Sequence, residues 1–148
     1  MFYSLLFRFL ISGIAFNTPQ HIHSNTSPGK VVRLSRTFER IPGKNEYTVN
    51  VHIQVNGISG FGRLTEFFPP GVKVNILEGA ASSSRVENDK LRCIWVSLPD
   101  SPEITVSYTI AFPDDKLIMY YRGEFSCIVN NEAKTTKMKP EDLKLIGE

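Results

Sequence analysis

Apolar and polar residues alternate along much of this chain with the period of two that a strand with one buried face produces. Ile104, Val106, Tyr108, Ile110 and Phe112 share one parity, and Thr105, Ser107, Thr109 and Ala111 the other. The clearest alternation sets Tyr47, Val49, Val51, Ile53 and Val55 against Thr48, Asn50, His52 and Gln54. Residues 30–40 carry Val32, Leu34 and Phe38 on one parity, with Arg36 breaking the run. That reads as an edge strand, where an inward charge guards against wrong pairing. Ile41-Pro42-Gly43-Lys44-Asn45 is a turn by composition, so these first two strands form a hairpin.

Further strands follow at 62–68 and from Val72 to Ile76, separated by Pro69-Pro70-Gly71, because neither proline can donate to a ladder. Residues 78–84 read as a loop or a weak edge. Residues 91–98 are apolar on both faces at Ile94, Trp95 and Val96, as a central strand would be. Phe125, Cys127 and Val129 alternate with Glu124, Ser126 and Ile128, and Asn130-Asn131 then supplies a tight hairpin turn into 133–138. Pro140 opens a tail that could form one helical turn over 140–144. Eight or nine short strands with Gly, Pro and Asn turns predict an all-β fold, an antiparallel β-sandwich with a C-terminal hairpin extension. The expected organisation is a lead-in over 1–29, one sandwich domain over 30–139 and a tail over 140–148.

Composition narrows the setting. A chain of 148 residues with 41% hydrophobic and 22% charged residues can bury a full core in one domain. A net charge of +2, scattered along the chain, gives no stripe to follow a phosphate backbone, so nucleic acid is not expected as a partner. Residues 2–16 are apolar except for Arg8, too short for the roughly 20 residues that span a bilayer. They suit a signal-peptide core, with export to the periplasm or cell surface and no membrane span in the mature chain. The competing reading is an N-terminal element packed on the domain. Cys93 and Cys127 both fall on inward parity and could be bridged or be two buried thiols; in an exported chain they are expected to lie close enough to bridge.

Glu66-Phe67-Phe68-Pro69-Pro70-Gly71-Val72 resembles the acidic-x-x-Pro-x-Gly-apolar corner of the conserved immunoglobulin-like repeat of bacterial surface and envelope proteins. Ala80–Ser84 is similar to that family's variable Ser-rich stretch, Ile94-Trp95-Val96 to its tryptophan strand and Leu98-Pro99 to its turn. Thr105-Val106-Ser107-Tyr108-Thr109-Ile110 is similar to its final strand. The likeness spans residues 31–112, with Glu66, Pro69 and Gly71 as the corner. It departs in having glutamate where the family more often has aspartate, a single copy, and the 113–148 segment outside the pattern. The resemblance implies an immunoglobulin-like sandwich and a non-catalytic structural or adhesive role. In some such repeats a buried acid promotes a Lys–Asn crosslink, which would give Glu66 a partner among Lys30, Lys44 and Asn130.

Candidate chemistry is sparse. His21 and His23 have the spacing of a metal pair but no third ligand nearby, and His52 lies on a polar parity. Ser82-Ser83-Ser84 falls in a predicted loop without a GxSxG setting, and Asp100, Asp114 and Asp115 sit at turns where they cap backbone. No catalytic, cofactor or metal residues are therefore expected. Trp95 and Tyr108 read as core, whereas Tyr120-Tyr121 places one ring on each face and offers exposed aromatic contacts. The reading adopted is an envelope or surface β-sandwich engaging protein partners, by strand-edge pairing among other routes. A carbohydrate-binding module is the alternative.

Overall fold

The computed structural model describes residues 31–79, 81–113, 121–139 and 143–146. The lead-in with His21 and His23, together with Lys30, Asp114, Asp115 and Tyr120, lies outside them. The strands are β1 (Val31–Arg40), β2 (Glu46–Asn56), β3 (Gly62–Phe67), β4 (Lys73–Gly79) and β5 (Ser83–Glu87), then β6 (Lys90–Trp95), β7 (Glu103–Ala111), β8 (Arg122–Val129), β9 (Glu132–Lys137) and β10 (Leu143–Ile146). They form two five-stranded sheets, ordered β10-β1-β2-β7-β4 and β5-β6-β3-β8-β9. All pairings are antiparallel except β1 with β10. The fold is an all-β, immunoglobulin-like sandwich.

Taken in chain order, β1, β2, β3, β4, β7, β8 and β9 follow the four-on-three plan of an immunoglobulin constant-type domain. The first, second, fifth and fourth of these seven make one sheet; the third, sixth and seventh make the other. The β5–β6 hairpin is an insertion that docks beside β3, and β10 is an addition beside β1. The inner face of β2 shows why the layers hold. Tyr47, Val49, Val51, Ile53 and Val55 are all buried, each aliphatic contributing about 1.5–3 kcal/mol of transfer free energy. They meet Leu64, Leu91, Trp95, Phe125 and Val129 of the opposite sheet in one core.

Two hairpin turns place paired residues at positive φ: Asn88 and Asp89 at 51° and 55°, and Asn130 and Asn131 at 53° and 63°. Such two-residue turns match the strand twist, and Asn and Asp tolerate the left-handed region best after glycine. The β8–β9 hairpin exists as expected, yet β8 is no appendage, since it lies between β3 and β9 with Phe125 and Cys127 in the core.

Four expectations are corrected. β1 is not an edge strand, because its second half pairs with β10. The tail forms that strand at Leu143–Ile146 where a helical turn was expected, since β1 has backbone groups there that a ladder satisfies. Strand β6 ends at Trp95, leaving Val96 exposed. Cys93 and Cys127 are both free and buried. They sit on β6 and β8, on opposite sides of β3, facing Leu64 and Gly62 respectively. Two strand spacings, about 9.6 Å, with a two-residue offset along the strands in addition, put them well beyond the span of about 4.4–6.8 Å that a disulfide bridges. Both thiols should therefore resist a thiol reagent such as DTNB in the native state and react in denaturant. A non-reducing gel showing an internal crosslink would contradict this.

Candidate functional site

The corner motif turns out to be the place where the two sheets are tied together. Glu66 takes an inward position on β3, in line with Leu64, and is fully buried. Arg36 takes an inward position on β1, between Leu34 and Phe38, and is also fully buried. The Arg36 guanidinium donates through Nη2 to Glu66 Oε2 across the sandwich. Arg36 thus faces the core as a charge partner, where its sequence position had suggested an edge guard. Tyr108 of β7 donates its hydroxyl to the same carboxylate oxygen at 3.2 Å and is hydrogen-bonded to the Tyr121 hydroxyl.

Aromatic rings wall this cluster. The Arg36 guanidinium carbon lies 3.9 Å from the Tyr121 ring centre, close enough for a cation–π contact. Tyr121 stacks on Phe68 at 5.1 Å and meets Phe38 edge-on at 5.8 Å. Of the Tyr120-Tyr121 doublet, for which one ring on each face is expected, Tyr121 is buried, because the chain enters β8 with its ring turned into this cluster. Gly123 on β8 is directly opposite Glu66. A Cβ there would overlap the Glu66 carboxylate and lie 2.6 Å from Arg36 Nη2, so only glycine leaves room for the pair.

The rest of the corner steers the chain between sheets. Phe68 N donates to Asp89 O at 2.9 Å, then Pro69 and Pro70 end the ladder, and Gly71 turns at a φ of 83° into the opposite sheet. Complete burial pushes the Glu66 carboxyl above its ordinary value, with Arg36 and the two tyrosine hydroxyls offsetting part of that. Burial opposes the Arg36 charge, but Glu66 and the tyrosines more than compensate and raise it. Burial also holds Tyr108 and Tyr121 well above the usual phenol range, so both stay protonated donors. Arg36 Nε and Nη1 and Glu66 Oε1 have no hydrogen-bond partner among the described residues.

A cluster sealed this way has no route for a substrate; its chemistry is structural. The lysine and asparagine considered for a crosslink with Glu66 are elsewhere. Lys44 is exposed, 4.0 Å from Glu46, and Asn130 sits in the β8–β9 turn. His52 is on the outer face of the first sheet, 3.1 Å from Glu103 and 3.3 Å from Thr105. Ser82 accepts from Val96 N at the second sheet, on the other layer from His52. Among the described residues no group of three or more His, Cys, Asp or Glu could hold a metal. Trp95 is core, edge-on to Phe125 at 6.0 Å. Phe61 is the one aromatic among the exposed large hydrophobics of the described residues.

No family model matches the chain, and no curated protein matches it. Similar solved structures include a GH20 exo-β-N-acetylglucosaminidase from Vibrio harveyi, with TM-score 0.48 and 10% identity over 78% of this chain. The chain corresponds to only 18% of that enzyme's length. Others are ACE19, the collagen-binding subdomain of the Enterococcus faecalis surface protein ACE, and a non-cellulosomal cohesin from Archaeoglobus fulgidus. Their TM-scores are 0.41 and 0.39, their identities 11% and 12%, covering 71% and 76% of this chain and 92% and 86% of theirs. None is near enough to transfer a role. No described helix is long and apolar enough to cross a membrane.

Removing one partner of a buried pair strands the other charge, so Arg36→Met should cost about 3–5 kcal/mol in urea unfolding. Adding Glu66→Gln to that variant should recover about 2 kcal/mol, and purely additive losses would show the two side chains are not coupled. The Glu66 carboxyl also has a pH consequence. With its folded value above the ordinary 4.5, its contribution to stability is fully present below that pH and lost as pH rises through the folded value. Glu66→Gln should therefore destabilise more at pH 4 than at pH 8, measured by urea midpoints. A salt bridge that lowers the carboxyl's value would give the reverse order.

Proposed function

We propose that this chain is a non-catalytic module of a bacterial cell envelope or surface, a structural or adhesive unit that engages other proteins. The observation that carries the reading is the closed interior. Side chains of both sheets fill the space between the layers, and the one cluster of ionisable groups inside it is fully enclosed. Recognition is then left to the two outer faces and to strand edges. Among the described residues strand β9 ends its sheet, and its residues are exposed or half-buried and all polar but Ala133, as an edge open to augmentation would be. Lys134 and Lys137 on it also discourage indiscriminate pairing.

Placement at the envelope is supported by the apolar run over 2–16 and by the resemblance of the Glu66–Gly71 corner to surface repeats. The test is fractionation of cells expressing the full chain, with mass spectrometry of its N-terminus. The expected result is a processed chain, lacking the apolar run, in the periplasmic or surface-shaved fraction. An unprocessed chain confined to the cytoplasm would overturn the envelope reading.

A further inference from the structure

The two outer faces of the sandwich differ in charge. On the second sheet, Arg63, Arg85, Lys90, Arg92, Arg122 and Lys137 all take outward positions, by their register with residues whose neighbours point inward. Glu87 and Glu124 are the carboxylates on the same face. The first sheet's outer face holds Arg33 and Lys73 against Glu39, Glu46 and Glu103, in a carpet of Thr, Ser and Asn. Among the described residues the excess cations are therefore concentrated on one layer.

Those cations are held near one another against their mutual repulsion. Arg85 and Arg92 are directly opposite in the β5–β6 ladder, an arrangement that disfavours the sheet. Lys90 and Arg122, from the strands on either side of β3, share the Phe67 ring at 5.4 Å and 5.6 Å. Arg85 reaches Glu87 at 3.3 Å, whereas Arg63 and Arg92 have no carboxylate partner among the described residues.

The same face carries an apolar row. Trp95, Gly62 and Cys127 form an inward row across β6, β3 and β8, and the residues next to them, Val96 and Phe61 just beyond the ends of β6 and β3 and Ile128 on β8, are exposed. They are 76%, 40% and 42% exposed, and Ala133 extends the row onto β9 opposite Ile128. From this row to the Lys90–Phe67–Arg122 row is about 20 Å along the strands, and four strands cover about 19 Å across, the scale of a small transient protein contact.

We propose that this face docks a protein partner that presents carboxylates beside an apolar strip, which names the kind of partner the proposed function requires and rests on that reading. A polyanion would satisfy the cations and leave Val96, Phe61 and Ile128 in water. A bilayer would need the apolar row to enter deeper than the cations, whereas Ile128 and Arg122 take outward positions on one strand, β8. Only a mixed protein surface covers both, with charge guiding encounter and the apolar row slowing release.

The test uses the full chain and three probes in titration calorimetry. They are a synthetic peptide alternating Glu with Leu, poly-L-glutamate of equal charge, and vesicles of phosphatidylcholine with one-fifth phosphatidylserine. The expected result is about tenfold tighter binding of the Glu–Leu peptide than of poly-L-glutamate. Val96→Ser with Ile128→Ser should abolish that difference, and Arg92→Glu should weaken both acidic probes. Glu103→Lys on the other face should change neither, and the melting temperature of each variant, read alongside, should stay in place. Equal affinity for the two acidic probes, preference for the vesicles, or no binding to any probe would overturn the proposal. A cytoplasmic chain that passes this titration would sink the envelope reading alone, and an exported chain that fails it would sink this one alone.

Discussion

Everything in the sandwich is arranged around one ion pair that water cannot reach. Moving a guanidinium and a carboxylate out of water costs several kcal/mol per ion, and their attraction repays this only with good geometry and further hydrogen bonds. Here the supporting bonds come from two tyrosines, one on β7 and one at the start of β8, so the pair draws on both sheets. The gain is specificity. A one-residue slip of β1 would turn Arg36 out to water and bring Ser35 or Thr37 inward, leaving Glu66 without its cation. The apolar residues alone would penalise such a slip in proportion to area. The pair makes the penalty abrupt and assigns β1 to one position opposite β3.

That constraint propagates into residues that look unremarkable. Gly123 holds its place because anything larger would occupy the volume of the carboxylate across from it. Gly62, two turns of the pleat away on β3, is crowded in the same manner by Leu98 and Phe125. The double proline after Phe68 then forces the chain off the sheet immediately after the ion-pair strand, and Gly71 redirects it to β4. Glu66, Phe68, Pro69 and Gly71 therefore act as one device that fixes a charge, stacks a ring and changes sheets within six residues.

How much of this was legible in the sequence depends on whether a feature is local. Strands β2 and β7 were plain, because each buries one face along its length and alternation records it. Strand β5 was not, because a strand that ends a sheet needs little apolar content to be held, and β10, at four residues, is too short for alternation to tell it from a helical turn. Arg36 was visible as an exception on inward parity, yet parity alone cannot separate an edge guard from a buried charge whose partner lies 30 residues away. Glu66 was singled out by the corner it belongs to, but the motif named no partner. The cysteines show the same limit: inward parity places both in the core, and only strand order reveals that β3 stands between them. Of the Tyr120–Tyr121 doublet, alternation sends one ring inward without saying which.

The same separation of parities explains how such a rigid interior can coexist with a surface that bears unfavourable features. Inward positions on β3, β6 and β8 are committed to Glu66, Trp95, Phe125 and their neighbours, while each outward position one residue away is free of that packing. Placing Arg85 opposite Arg92, or leaving Val96 in water, costs the fold only a fraction of a kcal/mol to about one, against a core of more than twenty buried hydrophobics. Such costs do not threaten folding, but neither does anything inside the sandwich require them. Their concentration on one sheet, together with the neutral Thr and Asn carpet on the other, is therefore a property of the exterior alone. An explanation for it has to come from what meets that exterior.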